Sequence, residues 1–118
     1  MTEPVILVVD DSRVSRMLIR TIIAHAHPKA TILEAGNADE ALLKVEGQQV
    51  NLITLDLNMP GMDGLTLASK LLEKFPAAKI GLLTANIQEA IKSKAENLGI
   101  LFISKPITEE KILAFIDG

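Results

Sequence analysis

The feature that most constrains this chain is a regular alternation: five times, a short run of aliphatic and β-branched residues gives way to a longer stretch of helical period. Val5-Ile6-Leu7-Val8-Val9 opens the series and is apolar throughout, as a strand covered on both faces should be. Further runs occupy residues 31–35, 52–55, 79–84 and 100–103. Strands joined through single helices run parallel, with right-handed crossovers and helices on both faces. The expected fold is a doubly wound α/β sandwich built on a five-stranded parallel sheet.

The helical stretches carry their own punctuation. Residues 12–26 form an amphipathic helix in which Val14, Met17, Leu18, Thr21 and Ile22 share the main apolar arc, while Arg13, Arg16 and Arg20 share another. Ile19 and Ile23 fall outside that arc and either pack under the last helix or join the arginine stripe as a partner-facing patch. The stripe itself reads as a solvated face or a docking surface. Asn37 with Glu40 makes a capping-box-like start for a helix through about residue 45, which Gly47 breaks. A breaker-rich loop, Asn58-Met59-Pro60-Gly61-Met62-Asp63-Gly64, precedes a helix over 65–75 that Pro76 stops. Asn86-Ile87-Gln88-Glu89 reads as another capped start, with Gly99 ending that helix. Thr108 caps a last helix over 108–116, with Glu109 and Glu110 in the first turn, where the helix dipole favours negative charge. His25 and His27 sit near the end of the first helix, where cationic groups meet the dipole favourably, and carry no ligand role.

Composition narrows the function classes. A chain of 118 residues is the size of one domain, and 48% hydrophobic content is enough for a packed core. A formal charge of -3 and a pI near 5.3 argue against a general electrostatic hold on nucleic acid. The absence of cysteine removes disulfides, thiolate zinc sites and a cysteine nucleophile, and fits a reducing compartment. No run is long enough for a membrane span and no signal peptide is recognisable, so the cytoplasm is the expected location.

In doubly wound folds the working site lies outside the carboxyl ends of the strands. Asp10 and Asp11 follow the first strand, Asp56 ends the third, Thr84 ends the fourth, and Ser104-Lys105-Pro106 follows the fifth. The second strand, ending Glu34-Ala35-Gly36, supplies no matching group and is expected at the sheet edge. Crowded carboxylates stay ionised only where a cation neutralises them. All-oxygen ligands without Cys or His suit Mg²⁺ or Mn²⁺. A lysine and a threonine facing the same point stabilise an incoming phosphoryl group. The chemistry read from this set is phosphoryl transfer onto a carboxylate. Asp56 is favoured as nucleophile because it ends a central apolar strand, whereas the Asp10-Asp11 pair sits in a loop and can turn inward on the metal.

Val8-Val9-Asp10-Asp11-Ser12, Leu55-Asp56-Leu57-Asn58-Met59-Pro60-Gly61-Met62-Asp63-Gly64, Leu83-Thr84-Ala85 and Ser104-Lys105-Pro106 together resemble the receiver domain of bacterial response regulators, in order and across essentially the whole chain. The resemblance implies a flavodoxin-like, CheY-like fold and one receiver domain over residues 1–118. It implies that Asp56 accepts a phosphoryl group from the phosphohistidine of a histidine kinase or histidine phosphotransfer protein. Mg²⁺ would be bound by Asp11 and Asp56, directly or through water, with Asp10 assisting and the backbone carbonyl of Asn58 completing the set. Lys105 would pair with a phosphoryl oxygen, Thr84 would move to hydrogen-bond another, and the Lys105–Pro106 peptide would be cis. Phe102, three positions before the lysine, corresponds to the switch aromatic, here without a tyrosine's hydroxyl. Asn58 and Asn86 would line the path of the attacking water and tune dephosphorylation. The first helix would meet the phosphodonor protein, and the fourth, with Lys92 and Lys94, would belong to the face that binds a downstream protein target. No catalysis is implied beyond the domain's own phosphorylation and dephosphorylation.

Other readings lead elsewhere. A pseudo-receiver would keep the fold as an interaction module without phosphorylation, which the complete set of Asp10, Asp11, Asp56, Thr84 and Lys105 argues against. An aspartyl-nucleophile phosphohydrolase would carry a second Asp two residues after the nucleophile, where this chain has Asn58. A flavin site would need a Ser/Thr/Gly-rich phosphate loop after the first strand. The final helix is short for a receiver, so the sequence fits both a stand-alone switch, signalling through a non-covalent partner, and a receiver excised from a longer protein.

Overall fold

Alternating strand and helix wind into a single sheet with helices on both faces. The computed structural model describes residues 3–85 and 88–118. The strands are β1 (Val5–Val9), β2 (Thr31–Ala35), β3 (Leu52–Asp56), β4 (Lys79–Thr84) and β5 (Leu101–Ser104). The helices are α1 (Arg13–Ala26), α2 (Ala38–Lys44), α3 (Gly64–Lys74), α4 (Glu89–Leu98) and α5 (Glu109–Asp117). All strand pairs are parallel in the order β2-β1-β3-β4-β5, so β3 is central and β2 lies at an edge, as expected.

Side chains alternate across a strand, and this sorts the core into two layers. Ile6 and Val8 point toward α1 and α5, meeting Ile19, Ile23, Ile112 and Phe115. Leu7 and Val9 point the other way, into a layer with Ala41, Leu67, Leu71 and Ala95 of α2, α3 and α4. Register then aligns the strand ends. Val9 pairs with Leu55 and Asp56 pairs with Leu83, so Asp10, Asp56 and Thr84 emerge at one edge of the sheet.

Four helix starts are fixed by side-chain caps, each satisfying a backbone N–H that the helix leaves unpaired. Ser12 Oγ accepts from Ser15 N at 3.2 Å, Asn37 Oδ1 from Glu40 N at 2.8 Å and Thr108 Oγ1 from Lys111 N at 3.2 Å. The fourth cap is Asp63, at the end of the breaker-rich loop, whose Oδ1 accepts from Thr66 N at 2.9 Å. Gly99 ends α4 in the left-handed conformation, φ 75°, which glycine adopts without steric cost. Helix α4 begins at Glu89 with Gln88 in the cap position; the expected cap, Asn86, lies outside the described residues.

The orientation of α1 decides between the two expectations for Ile19 and Ile23 in favour of packing under the last helix. Val14, Met17 and Leu18 are 76%, 56% and 45% exposed, whereas Ile19 and Ile23 are the fully buried residues, packed with α5. Val14, Met17 and Leu18 therefore face outward while Ile22 packs against the core, and Arg16 and Arg20 reach toward β2. Acceptors at the edge explain why. Arg20 Nη1 lies 2.7 Å from Glu34 Oε2, and Arg16 Nε lies 3.5 Å from Glu34 Oε1. Arg16 also donates from Nη1 to the Asp10 carbonyl at 2.5 Å. Two buried isoleucines supply about 1.5–3 kcal/mol each, and the guanidinium groups beside them find partners on β2 and at the end of β1.

Candidate active site

Asp10 and Asp56 are both buried, Asp10 to 1% exposure, while Asp11 is exposed at the rim. Each of these three residues offers a carboxylate oxygen within 4.8 Å of those of the other two. Asp10 is aimed inward because its Oδ1 accepts from Ser12 N at 2.8 Å. Its other oxygen, Oδ2, is buried and has no hydrogen-bond partner among the described residues. Across the edge, Lys105 Nζ stands 3.2 Å from Asp56 Oδ1. Thr84 is buried beside them, and its carbonyl accepts from Lys105 N at 3.0 Å. The Lys105–Pro106 peptide is cis.

Electrostatics follow from this crowding. Burial pushes the Asp10 carboxyl above its ordinary pKa; the Ser12 N–H opposes the shift and the charge on Asp56 adds to it. Burial also raises Asp56, against the pull of the Lys105 ammonium. Two desolvated carboxyls with one lysine, paired to Asp56, leave an excess of negative charge, and Asp10 Oδ2 has no donor among the described residues. A hard divalent cation fits this set: oxygen ligands only, an orphaned buried lone pair and no competing His or Cys.

Close packing holds the acidic edge in place. A Cβ at Gly64 would overlap the Asp56 carbonyl oxygen, so the loop after β3 can close over the strand end only with glycine there. Gly64 N donates to Leu57 O at 3.0 Å, and Leu57 N donates to Leu83 O at 3.1 Å, which extends the β3–β4 pairing past Asp56.

The sequence of the response regulator receiver domain family matches residues 6–117. The chain is a response regulator receiver domain. This receiver is 32% identical over 117 residues to the chemotaxis protein CheY of Listeria monocytogenes, covering 95% of this chain and 94% of that one. Its fold superimposes with a TM-score of 0.89 on a CheY-like response regulator receiver domain protein from Methanospirillum hungatei, at 26% identity, covering 98% of this chain and 92% of that one. A chain of the CheX-CheY-BeF3-Mg²⁺ complex from Borrelia burgdorferi matches at a TM-score of 0.85 and 27% identity, covering 96% of this chain and 86% of that one. The receiver carries the acidic cluster Asp10, Asp11 and Asp56 typical of CheY-like phosphorylation sites, and receivers are not catalytic beyond their own phosphorylation and dephosphorylation.

The remaining expected residues fall at different distances from this centre. Asn58 is exposed in the loop after β3, and its backbone N–H lies close enough to Asp56 to stabilise the ionised carboxylate. Asn86 lies outside the described residues. Phe102 is half-buried on edge strand β5, with Lys92 Nζ 5.6 Å from its ring centroid. It lines a surface groove with Leu101, Ser104, Lys111 and Phe115. His27 is paired with Asp117, Nε2 to Oδ1 at 2.8 Å, joining the ends of α1 and α5. Glu34 supplies no group to the cluster, as expected, but holds Arg16 and Arg20 beside it, and Lys111, which no motif marks, reaches the residues flanking Lys105. No described helix is long and apolar enough to cross a membrane.

Proposed function

We propose that this receiver is a phosphorylation-controlled switch in which Asp56 accepts a phosphoryl group from the phosphohistidine of a histidine kinase or histidine phosphotransfer protein. The observation that carries the reading is the buried Asp56 carboxylate with Lys105 Nζ at 3.2 Å on one oxygen and the unpartnered Asp10 Oδ2 beside it. An Asp56 oxygen attacks phosphorus; the O–P bond forms as the P–N bond to imidazole breaks, and the imidazole keeps the electron pair and takes up a proton. Lys105 pairs with a phosphoryl oxygen as negative charge shifts outward, and the Thr84 hydroxyl donates to another. Asp10, Asp11, Asp56 and the Asn58 carbonyl would hold Mg²⁺, or Mn²⁺ in its place. When bound, the ion neutralises the carboxylates and draws negative charge from the phosphoryl oxygens.

The partner surfaces belong to the same proposal. Val14, Met17 and Leu18 form an exposed apolar face beginning one turn from Asp11, over which a donor protein can seat its histidine. Phe102, lacking a polar tip, is the residue whose packing changes when Thr84 engages the phosphoryl group, and the α4–β5–α5 face carrying it and Lys92 meets a downstream protein. Asn58 and Asn86 tune hydrolysis of the acyl phosphate. The whole of residues 1–118 is taken as the receiver, acting in the cytoplasm.

Beryllofluoride, which mimics a phosphoryl group on a carboxylate, tests the site. The expected result is calorimetric binding with Mg²⁺ present and none without it, abolished in Asp56→Ala. Binding that survives Asp56→Ala would place the acceptor elsewhere.

A further inference from the structure

Lys111 lies in the first turns of α5 and donates from Nζ to three acceptors: the Ser104 carbonyl at 2.9 Å, Ser104 Oγ at 3.4 Å and the Pro106 carbonyl at 3.3 Å. An ammonium has three N–H groups, so this one is fully engaged. The two carbonyls belong to the residues on either side of Lys105. Lys111 is itself well anchored, because its N–H donates to the Thr108 cap and the adjacent Ile112 is fully buried.

Lys105 itself is held by its backbone N–H on the Thr84 carbonyl at 3.0 Å and by its Nζ on Asp56. A lysine stem is flexible, so the place where its ammonium stands depends on how firmly its backbone is held. We propose that Lys111 is a positioning residue: by gripping the backbone on both sides of Lys105, it fixes the ammonium over Asp56 for phosphoryl transfer. The inference rests on the reading of Asp56 as the acceptor. Without Lys111, both carbonyls turn to water and the Lys105 ammonium spreads over more positions, fewer of them aligned with the phosphoryl oxygen.

The test follows acetyl phosphate labelling of Asp56 at saturating Mg²⁺, with rates taken per folded molecule from circular dichroism at the assay temperature. Lys111→Met keeps the stem and removes the donors, and should slow labelling about ten-fold. Lys111→Arg, which keeps donors in reach of the carbonyls, should recover most of the rate. In a Lys105→Met background, adding Lys111→Met should change the rate less than about two-fold, because the two act as one unit. If Lys111→Met does not fold, Lys111→Leu, which also lacks donors, carries the same comparison. A wild-type rate per folded molecule in Lys111→Met overturns the proposal, and so does a ten-fold loss that persists in the Lys105→Met background. If the wild-type protein shows no Asp56-dependent labelling, the acceptor assignment fails first and this inference falls with it.

Discussion

Arg16 ties α1 to the acidic edge by donating to the backbone carbonyl of Asp10 at 2.5 Å, while its Nε faces Glu34 at 3.5 Å. The guanidinium thus steadies the loop that carries two of the three carboxylates without touching any of them. Arg16→Ala should lower stability by about 1–2 kcal/mol, the scale for a charged donor on a partly buried acceptor. It should also slow acetyl phosphate labelling as the loop loosens. Urea denaturation and the labelling rate check both, and an unchanged pair of values would show that Arg16 is merely a solvated charge.

Met17 tests the outward face of the same helix. Met17→Glu at a 56% exposed position should alter stability by no more than about 0.5 kcal/mol. It should leave acetyl phosphate labelling intact and slow transfer from a phosphohistidine protein several-fold. Equal slowing with both donors would remove α1 from the donor surface.

How much of this was legible in sequence depends on what sets each feature. The five strands, the edge position of β2 and the convergence of Asp10, Asp56, Thr84 and Lys105 follow from periodicity and from residues at strand ends, and all were expected. The caps at Asn37 and Thr108 were expected from residue type, whereas Ser12, expected inside the first helix, is its cap. Ile19 and Ile23 pack under the last helix, one of the two places expected for them, but the outward facing of Val14, Met17 and Leu18 is not visible on a wheel, which counts apolar residues and cannot see that Glu34 and the Asp10 carbonyl await arginine. Lys111 was overlooked for a related reason: its partners are backbone oxygens, which leave no trace in residue identity.

The buried carboxylates make stability depend on pH. Asp10 and Asp56 have folded pKa values raised above their unfolded ones, chiefly by burial. Such groups favour the native state below the unfolded value of about 4 and lose that contribution as pH rises through the folded value. At pH 7 the ionised cluster therefore opposes folding. Asp10→Asn should raise stability by about 1 kcal/mol, roughly 3–6 °C in Tm, at pH 7, and the gain should vanish near pH 3. Mg²⁺ should raise the wild-type Tm at pH 7 more than that of Asp10→Asn. Thermal melts with and without the ion decide it; a lower Tm for Asp10→Asn at pH 7 would contradict the electrostatic picture.

Phe102 separates switching from packing. The residue is half-buried under Lys92 on β5. Phe102→Ala should lose about 1–2 kcal/mol of stability for a half-buried ring, and it should narrow the difference in partner capture between the beryllofluoride-loaded and free forms. If stability falls while that difference is fully retained, Phe102 is a packing residue and the switch lies elsewhere.

The central claim is that Asp56 is the phosphoacceptor, and site-mapped labelling tests it most directly. Incubation with acetyl phosphate and Mg²⁺, followed by peptide mass spectrometry, should place a single phosphoryl group on Asp56, with none added when Mg²⁺ is chelated or Asp56 is changed to Asn. A phosphoryl group mapped to another residue, or labelling that persists in Asp56→Asn or without the metal, would contradict the account.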